Sequence, residues 1–181
     1  MDSDKTALGD AELVSQAQGG DPDAFGELYQ RHMPALYKYV YYRVGNRQEA
    51  EDITETVFLR AWQALPRFRK ENVAFTAWLY RIGRNAVIDH YRSSKRHTAL
   101  DGTAALEGDP LPDVVAAEEA ESLRVAVASL PEEQSQVLVL RFVEDLGHDE
   151  VAAVLGKSAG ACRMIQHRAL RALSRILGEK E

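Results

Sequence analysis

Apolar residues recur along this chain at the three- and four-residue spacing of helices, and no run alternates apolar and polar between hairpin turns. A short helix is predicted over 11–18, ending at Gly19-Gly20. Asp21-Pro22-Asp23 supplies an acidic cap and a first-turn proline for a longer helix. Its apolar positions Phe25, Leu28, Tyr29, Leu36, Tyr37, Val40 and Val44 lead to Gly45, and Pro34 predicts a bend or break inside it. The next helix spans 47–65, with Ile53, Val57, Phe58, Ala61, Trp62 and Leu65 packing, and Pro66 stops it. The loop PRFRKENV follows. In the second half, 114–129 predicts a helix, and Leu130-Pro131-Glu132-Glu133 starts another. A short helix follows over 148–155 and turns at Gly156-Lys157, and Ser158 caps a last helix running to about 177.

The most telling stretch is FTAWLYRIGRNAVIDHYRSSKR, residues 75–96. Phe75, Trp78, Leu79, Ile82 and Ala86 form one apolar stripe at helical spacing. Arg81, Asn85 and Arg92 form a second, with Arg84, Lys95 and Arg96 beside it. Packing needs the first stripe only. An asparagine among arginines with a basic exit suits a helix that packs on one side and meets nucleic acid on the other.

Charge sharpens that picture. The chain has a net charge of −6 at pH 7, the wrong sign for a nucleic-acid binder taken whole. Its distribution is uneven: residues 60–97 carry nine basic and two acidic side chains, and residues 156–181 carry six and two. Residues 1–59 are net −6, and residues 98–155, with two basic and thirteen acidic side chains, are net −11. A nucleic acid responds to the local field within about 10 Å at ordinary salt. The two basic patches therefore suit DNA, and the acidic stretches suit a partner or the restraint of unwanted DNA binding.

From His97 to Asp113 the helical pattern gives way to two glycines, two prolines and four acidic residues, which predicts a flexible acidic tether. The fold class is all-α. Two small helical domains, 1–97 and 114–181, are joined by the acidic linker 98–113, and the second domain carries a helix-turn-helix. Short helix, glycine turn and Ser158-capped longer helix is the plan in which the second helix enters the major groove. Cys162, Ile165, Ala169, Leu173 and Ile176 face its core, leaving Arg163, Gln166, His167, Arg168 and Arg171 outward.

Other features bound the function. No phosphate-cradling glycine motif, nucleophile–base pattern or metal-ligand spacing is evident, so an enzyme, a cofactor or a metal site has no support. No stretch is long and apolar enough to span a membrane. The polar N-terminus lacks a signal peptide's pattern, and the lone Cys162 fits a reducing compartment, so a cytoplasmic chain, monomeric when free of partners, is expected. Cys162 reads as a small buried hydrophobe, His148 as a helix-start residue, and Trp78, Leu79, Ile82 and Trp62 as packing. Asp89 reads as structural, pairing with Arg92 or fixing Asn85. On these residues alone a helix-turn-helix regulator of duplex DNA and a helical interaction module remain open.

With both motifs in view, the chain resembles a bacterial RNA polymerase sigma factor of the extracytoplasmic-function (ECF) group over roughly residues 23–177. AEDITETVFLRAW at 50–62 and FTAWLYRIGRNAVIDHYR at 75–92 resemble region 2. SLPEEQSQVLVLRFVEDLGHDEVAAVLGKSAGACRMIQHRAL at 129–170 resembles region 4, with no region 3 between them. The resemblance implies an alternative sigma factor that binds core RNA polymerase, through the β′ clamp helices and the β flap, and directs it to promoter DNA. It places Asp52, Glu55 and Arg60 as charged polymerase contacts supported by Phe58 and Leu59. It places the loop with Arg69 and Lys70 at a flipped promoter base. Trp78, Arg81, Arg84, Asn85, Arg92, Lys95 and Arg96 fall on the −10-melting helix, with Asn85 at a base and the arginines along the non-template strand. Ser158, Arg163, Gln166, His167, Arg168 and Arg171 fall on the −35-reading surface. An anti-sigma factor acting in trans is expected, since residues 178–181 hold no further domain. The linker then runs toward the RNA-exit path, as a plain tether or as an RNA mimic. Glu55-Thr56 stands where the family often has Gln-Glu or Gln-Asp, and Gly160-Ala161-Cys162 where Gly-Thr-Val is common. Met164 and Ile165 replace Ser and Arg of some members, so −35 readout is this chain's own.

Overall fold

The structure is a computed structural model and describes residues 8–101 and 114–179, with the side chains of 95–101 and 114–115 outside that description. The described residues form helices α1 (Asp10–Gln18), α2 (Pro22–Val44), α3 (Arg47–Ala64), α4 (Phe75–Asp101), α5 (Val114–Ala128), α6 (Glu132–Leu138), α7 (His148–Leu155) and α8 (Ala159–Gly178). A 3-10 turn at Leu65–Arg67 follows α3, and a π-helical segment at Val139–Val143 extends α6.

Local chemistry sets the boundaries. Asp21 caps α2 by accepting from the amides of Asp23 (2.9 Å) and Ala24 (3.4 Å), and Gly45 closes it in the left-handed conformation, φ 73°. Asn46 at once caps α3 through the amide of Glu49, 3.0 Å. The predicted break at Pro34 does not occur: α2 runs through it. Pro34 is exposed, so the carbonyl it leaves unpaired faces water. α4 continues to Asp101, past the predicted exit near residue 96. The rest of the predicted linker, 102–113, lies outside the described residues.

Helices α1–α4 bury Leu13, Leu28, Leu36, Val57 and Leu79; α5–α8 and the π-helical segment bury Val137, Leu140, Val151, Cys162 and Ala169. The two halves also touch. α4 lies against α7, and α2 against α5 and the π-helical segment, so buried side chains of both halves form one continuous cluster.

Candidate nucleic-acid interface

α4 is held from below by its apolar stripe. Phe75, Leu79, Ala86 and Val87 are buried. Gly83 sits where α4 crosses α2; a Cβ there would lie 3.0 Å from Leu36 Cδ1. This close approach fixes the height of the opposite face. Trp78 is half-buried in an aromatic cluster, 4.7 Å from the Phe68 ring and 5.7 Å from Phe75. It stiffens the helix entry, as its spacing predicts, and lies one turn before Arg81 and two before Asn85.

The loop before α4 is anchored by buried Phe68 and by Gln18 of α1. The Gln18 amide donates to the carbonyls of Leu65 (3.0 Å) and Phe68 (2.9 Å). Sequence reasoning missed Gln18, whose partners are some fifty residues away. Arg69 and Lys70 project outward, with Lys70 Nζ donating to Ser15 Oγ at 3.1 Å.

Along the basic stripe, Asn85 and Arg92 are exposed. Arg81 and Arg84 are engaged by the second half. Arg81 Nε donates to the Ala153 carbonyl of α7 at 2.5 Å, and Arg84 Nε to Gln136 Oε1 of α6 at 2.9 Å. Beside them the Tyr80 hydroxyl donates to Glu144 at 2.6 Å. Burial and the Glu144 carboxylate push the Tyr80 hydroxyl well above the ordinary phenol range, and burial pushes the Glu144 carboxyl up against the opposing pull of Tyr80 and Lys38. Asp89 pairs with Arg60 of α3, 3.2 Å, rather than with Arg92 or Asn85: across α3 and α4 the arginine is nearer than either neighbour on Asp89's own helix. The side chains of Lys95 and Arg96 lie outside the described residues.

α3 presents the second surface. Asp52, Glu55 and Arg60 are exposed. Phe58 is buried and packs on Tyr29, 4.6 Å between rings. Leu59 departs from its supporting role, since it is 58% exposed. With Trp62, 41% exposed and edge-on to Phe25 at 4.8 Å, it rims a shallow apolar trough floored by Gly26, Tyr29 and Phe58. Trp62 is therefore a surface aromatic as well as a packing one.

The helix-turn-helix forms the third surface. α7 ends at Gly156 in the left-handed conformation, φ 65°. Ser158 caps α8 by accepting from the Ala161 amide at 3.1 Å. Its hydroxyl is thereby committed to the helix start. Cys162, Ile165 and Ala169 are buried, and burial pushes the Cys162 thiol up. Arg163, His167, Arg168 and Arg171 line the exposed face. Gln166 differs: it is half-buried, and its carbonyl oxygen lies 2.8 Å from His148 Nε2 and 3.3 Å from the donating Arg141 Nε. One turn from Cys162, it leans inward and ties α8 to α7 and the π-helical segment. Arg141 also donates to the Leu146 carbonyl.

Among the described residues no helix is long and apolar enough to cross a membrane. Comparison with known proteins agrees with the geometry. Residues 28–97 match the family model for Sigma-70 region 2, and residues 126–175 the model for Sigma-70, region 4. The ECF RNA polymerase sigma factor BldN of Streptomyces coelicolor is 38% identical over 97% of this chain and 68% of its own. The ECF RNA polymerase sigma factor SigW of Bacillus subtilis is 31% identical over 91% of this chain and 94% of its own. Among solved structures, CnrH in complex with the cytosolic domain of CnrY superposes with a TM-score of 0.76 at 29% identity, covering 95% of this chain and 99% of that one. An exposed acidic-and-apolar ridge, an anchored basic loop, a basic helix and a basic helix-turn-helix thus occur in the order of sigma regions 2 and 4, and the chain belongs to the ECF group of RNA polymerase sigma factors.

Proposed function

We infer that this chain is an alternative sigma factor that brings core RNA polymerase to promoters with its own −35 and −10 elements and nucleates strand opening there, with no covalent chemistry of its own. The observation that carries this reading is the union in one chain of both sigma modules with the matching exposed residues. The ridge of α3 docks on the polymerase clamp helices: Leu59 and Trp62 supply the apolar centre, and Asp52, Glu55 and Arg60 the charged rim. The loop bearing Arg69 and Lys70 borders a flipped base. Flipping costs a few kcal/mol, which contacts to the extruded base must return. Asn85 reads a −10 base, and Arg81, Arg84 and Arg92 hold the displaced strand's backbone, as single-stranded DNA binding requires. Arg163, His167, Arg168 and Arg171 read the −35 duplex. Gln166 positions that helix.

The work is done where the polymerase is, in the cytoplasm. A restraining anti-sigma partner follows from the family and is supported by CnrH, solved with the cytosolic domain of CnrY. The test is direct. Purified chain mixed with core polymerase should co-elute as a holoenzyme and select promoter fragments from genomic DNA. No complex with core, and no promoter-specific transcript, would overturn the reading.

A further inference from the structure

The last turn of α2 holds a charge that its surroundings do not satisfy. Arg43 is only 6% exposed, and its Nε is buried without a hydrogen-bond partner. The carboxylate facing it, Glu132 Oε1, lies 3.9 Å from Nη2, beyond hydrogen-bond reach. That same oxygen already accepts from Gln136 Nε2 at 3.0 Å. The Tyr91 hydroxyl donates to the Arg43 carbonyl, which fixes the backbone and leaves the guanidinium as it was. Arg124, on α5, shows how a structural arginine is provided for. It is buried to 4% exposure, yet it donates to both Glu121 oxygens, at 2.9 and 2.7 Å, and sits over the Tyr41 ring. Two arginines are buried alike and only one is satisfied. Buried charges are kept by pairing and hydrogen bonding, so Arg43 calls for a partner.

The same side chain lines a cavity of about 370 Å³, together with Ile88, Tyr91, Arg92, Leu130 and Glu132. That volume falls within the roughly 300–1,000 Å³ of small-molecule sites. Arg43 and Leu130 are its buried members, and Tyr91 and Arg92 are exposed beside them. Two guanidinium groups therefore face one carboxylate, a net positive lining. Burial pushes the Tyr91 hydroxyl above the ordinary phenol range, so it stays protonated and adds no charge of its own near neutral pH. The planar fork of arginine matches the oxygens of a phosphate. Ile88, Leu130 and the Tyr91 ring add an apolar wall on which a flat group can lie. Arg43 and Leu130 stand on none of the surfaces assigned to DNA or polymerase.

We propose that this cavity is a binding site for a small phosphorylated ligand with a planar apolar body, a mononucleotide in chemical class. Its phosphate accepts from Arg43 and Arg92, and its base lies against Tyr91, Ile88 and Leu130. Glu132 supplies the acceptor that an exocyclic amino group needs. The guanidinium that is costly to bury alone becomes the source of affinity, because the ligand brings the partner it lacks. A ligand that binds only the folded chain stabilises it by mass action, so occupancy is readable as a rise in melting temperature.

The test uses the full chain, with AMP, GMP, adenosine and inorganic phosphate as probes, read by titration calorimetry and thermal melting. AMP or GMP should bind at one site per chain and raise the melting temperature by about 5–10 °C at a hundred times Kd. Adenosine and inorganic phosphate should each bind at least about tenfold more weakly, because each lacks part of the recognised group. Arg43→Met removes the charge at similar volume. Without ligand it should melt no lower than wild type, since an apolar replacement of a poorly satisfied buried charge is neutral or stabilising, and it should lose the nucleotide-induced shift. Arg92→Gln, at an exposed position, should fold as wild type does and weaken binding about tenfold. No nucleotide-induced shift up to millimolar concentration, unchanged affinity in either variant, or inorganic phosphate binding as tightly as the nucleotides would each overturn the site. So would an Arg43→Met chain that melts well below wild type, which would make the guanidinium a structural group. Binding is read without polymerase or promoter, so failure here leaves the sigma-factor reading standing.

Discussion

Gly83 offers a quantitative check on how the −10 helix is seated. Replacing it with alanine has two opposed effects. Within a helix, alanine is better than glycine by about 0.8–1.0 kcal/mol. The added methyl would lie 3.0 Å from Leu36 Cδ1 and 3.8 and 3.9 Å from the Tyr39 ring. Leu36 is 1% exposed and Tyr39 fully buried, so neither side chain swings out into solvent. Overpacking of a closed core costs about 1–3 kcal/mol. The net expectation for Gly83→Ala is a loss of about 1 kcal/mol, a fall of roughly 2–4 °C in melting temperature for a chain of this size. Gly83→Val adds two further methyls at the same point and a β-branched helix penalty, and should lose about 3 kcal/mol. Thermal unfolding followed by helical circular dichroism measures both. Since Gly83 lies between Arg81 and Asn85, the shift should also impair strand opening more than polymerase binding. A Gly83→Ala chain that melts higher than wild type would show that propensity outweighs the contact, and that α4 is not seated on α2 as tightly as described.

Other substitutions separate the surfaces. Tyr39→Phe removes a buried hydroxyl without a partner and should stabilise the chain by about 1 kcal/mol. Burial pushes that phenol from 10.0 up to about 12, so the stability present below pH 10 is lost as pH rises toward 12, and Tyr39→Phe should melt less steeply with pH over that window. Leu59→Asp lies on an exposed position and should leave the melting temperature nearly unchanged. Measured by competition for core enzyme, the same change should weaken polymerase binding about thirtyfold, as loss of an apolar interface centre does. Arg163→Ala should weaken −35 duplex binding and reduce the slope of log affinity against log salt by about 1, read by fluorescence anisotropy across a salt series.

Much of this architecture was legible along the chain. The bounds of α7 follow from a glycine on each side, and α2 announces itself through Asp21-Pro22 and Gly45. The exposed arginines of α8 follow from the burial of Cys162, Ile165 and Ala169 on its other side. Three features were less accessible. Pro34 signals a break, but a single missing hydrogen bond facing water does not end a helix that buries Leu28, Leu36 and Val40. The π-helical segment lies in the run VLVLRFV, apolar except for Arg141, with no cap or turn residue to mark it. The contacts between the halves include polar pairs such as Tyr80 and Glu144, 64 positions apart, and no hydrophobic pattern betrays a polar pair. Gln166 was partly legible: four residues after buried Cys162, it shares the inward-leaning side of α8. Leu59, beside Phe58 on α3, turns outward by the same periodicity that buries its neighbour.

The central claim is that α4 opens promoter DNA through Asn85 while α3 holds the polymerase. Permanganate footprinting of −10 thymines, on a promoter selected by the reconstituted holoenzyme, tests it most directly. Wild-type holoenzyme should render those thymines reactive. Asn85→Ala should form holoenzyme and protect the −35 element as wild type does, yet leave the thymines unreactive. Wild-type reactivity with Asn85→Ala, or loss of holoenzyme on that substitution, would contradict the account.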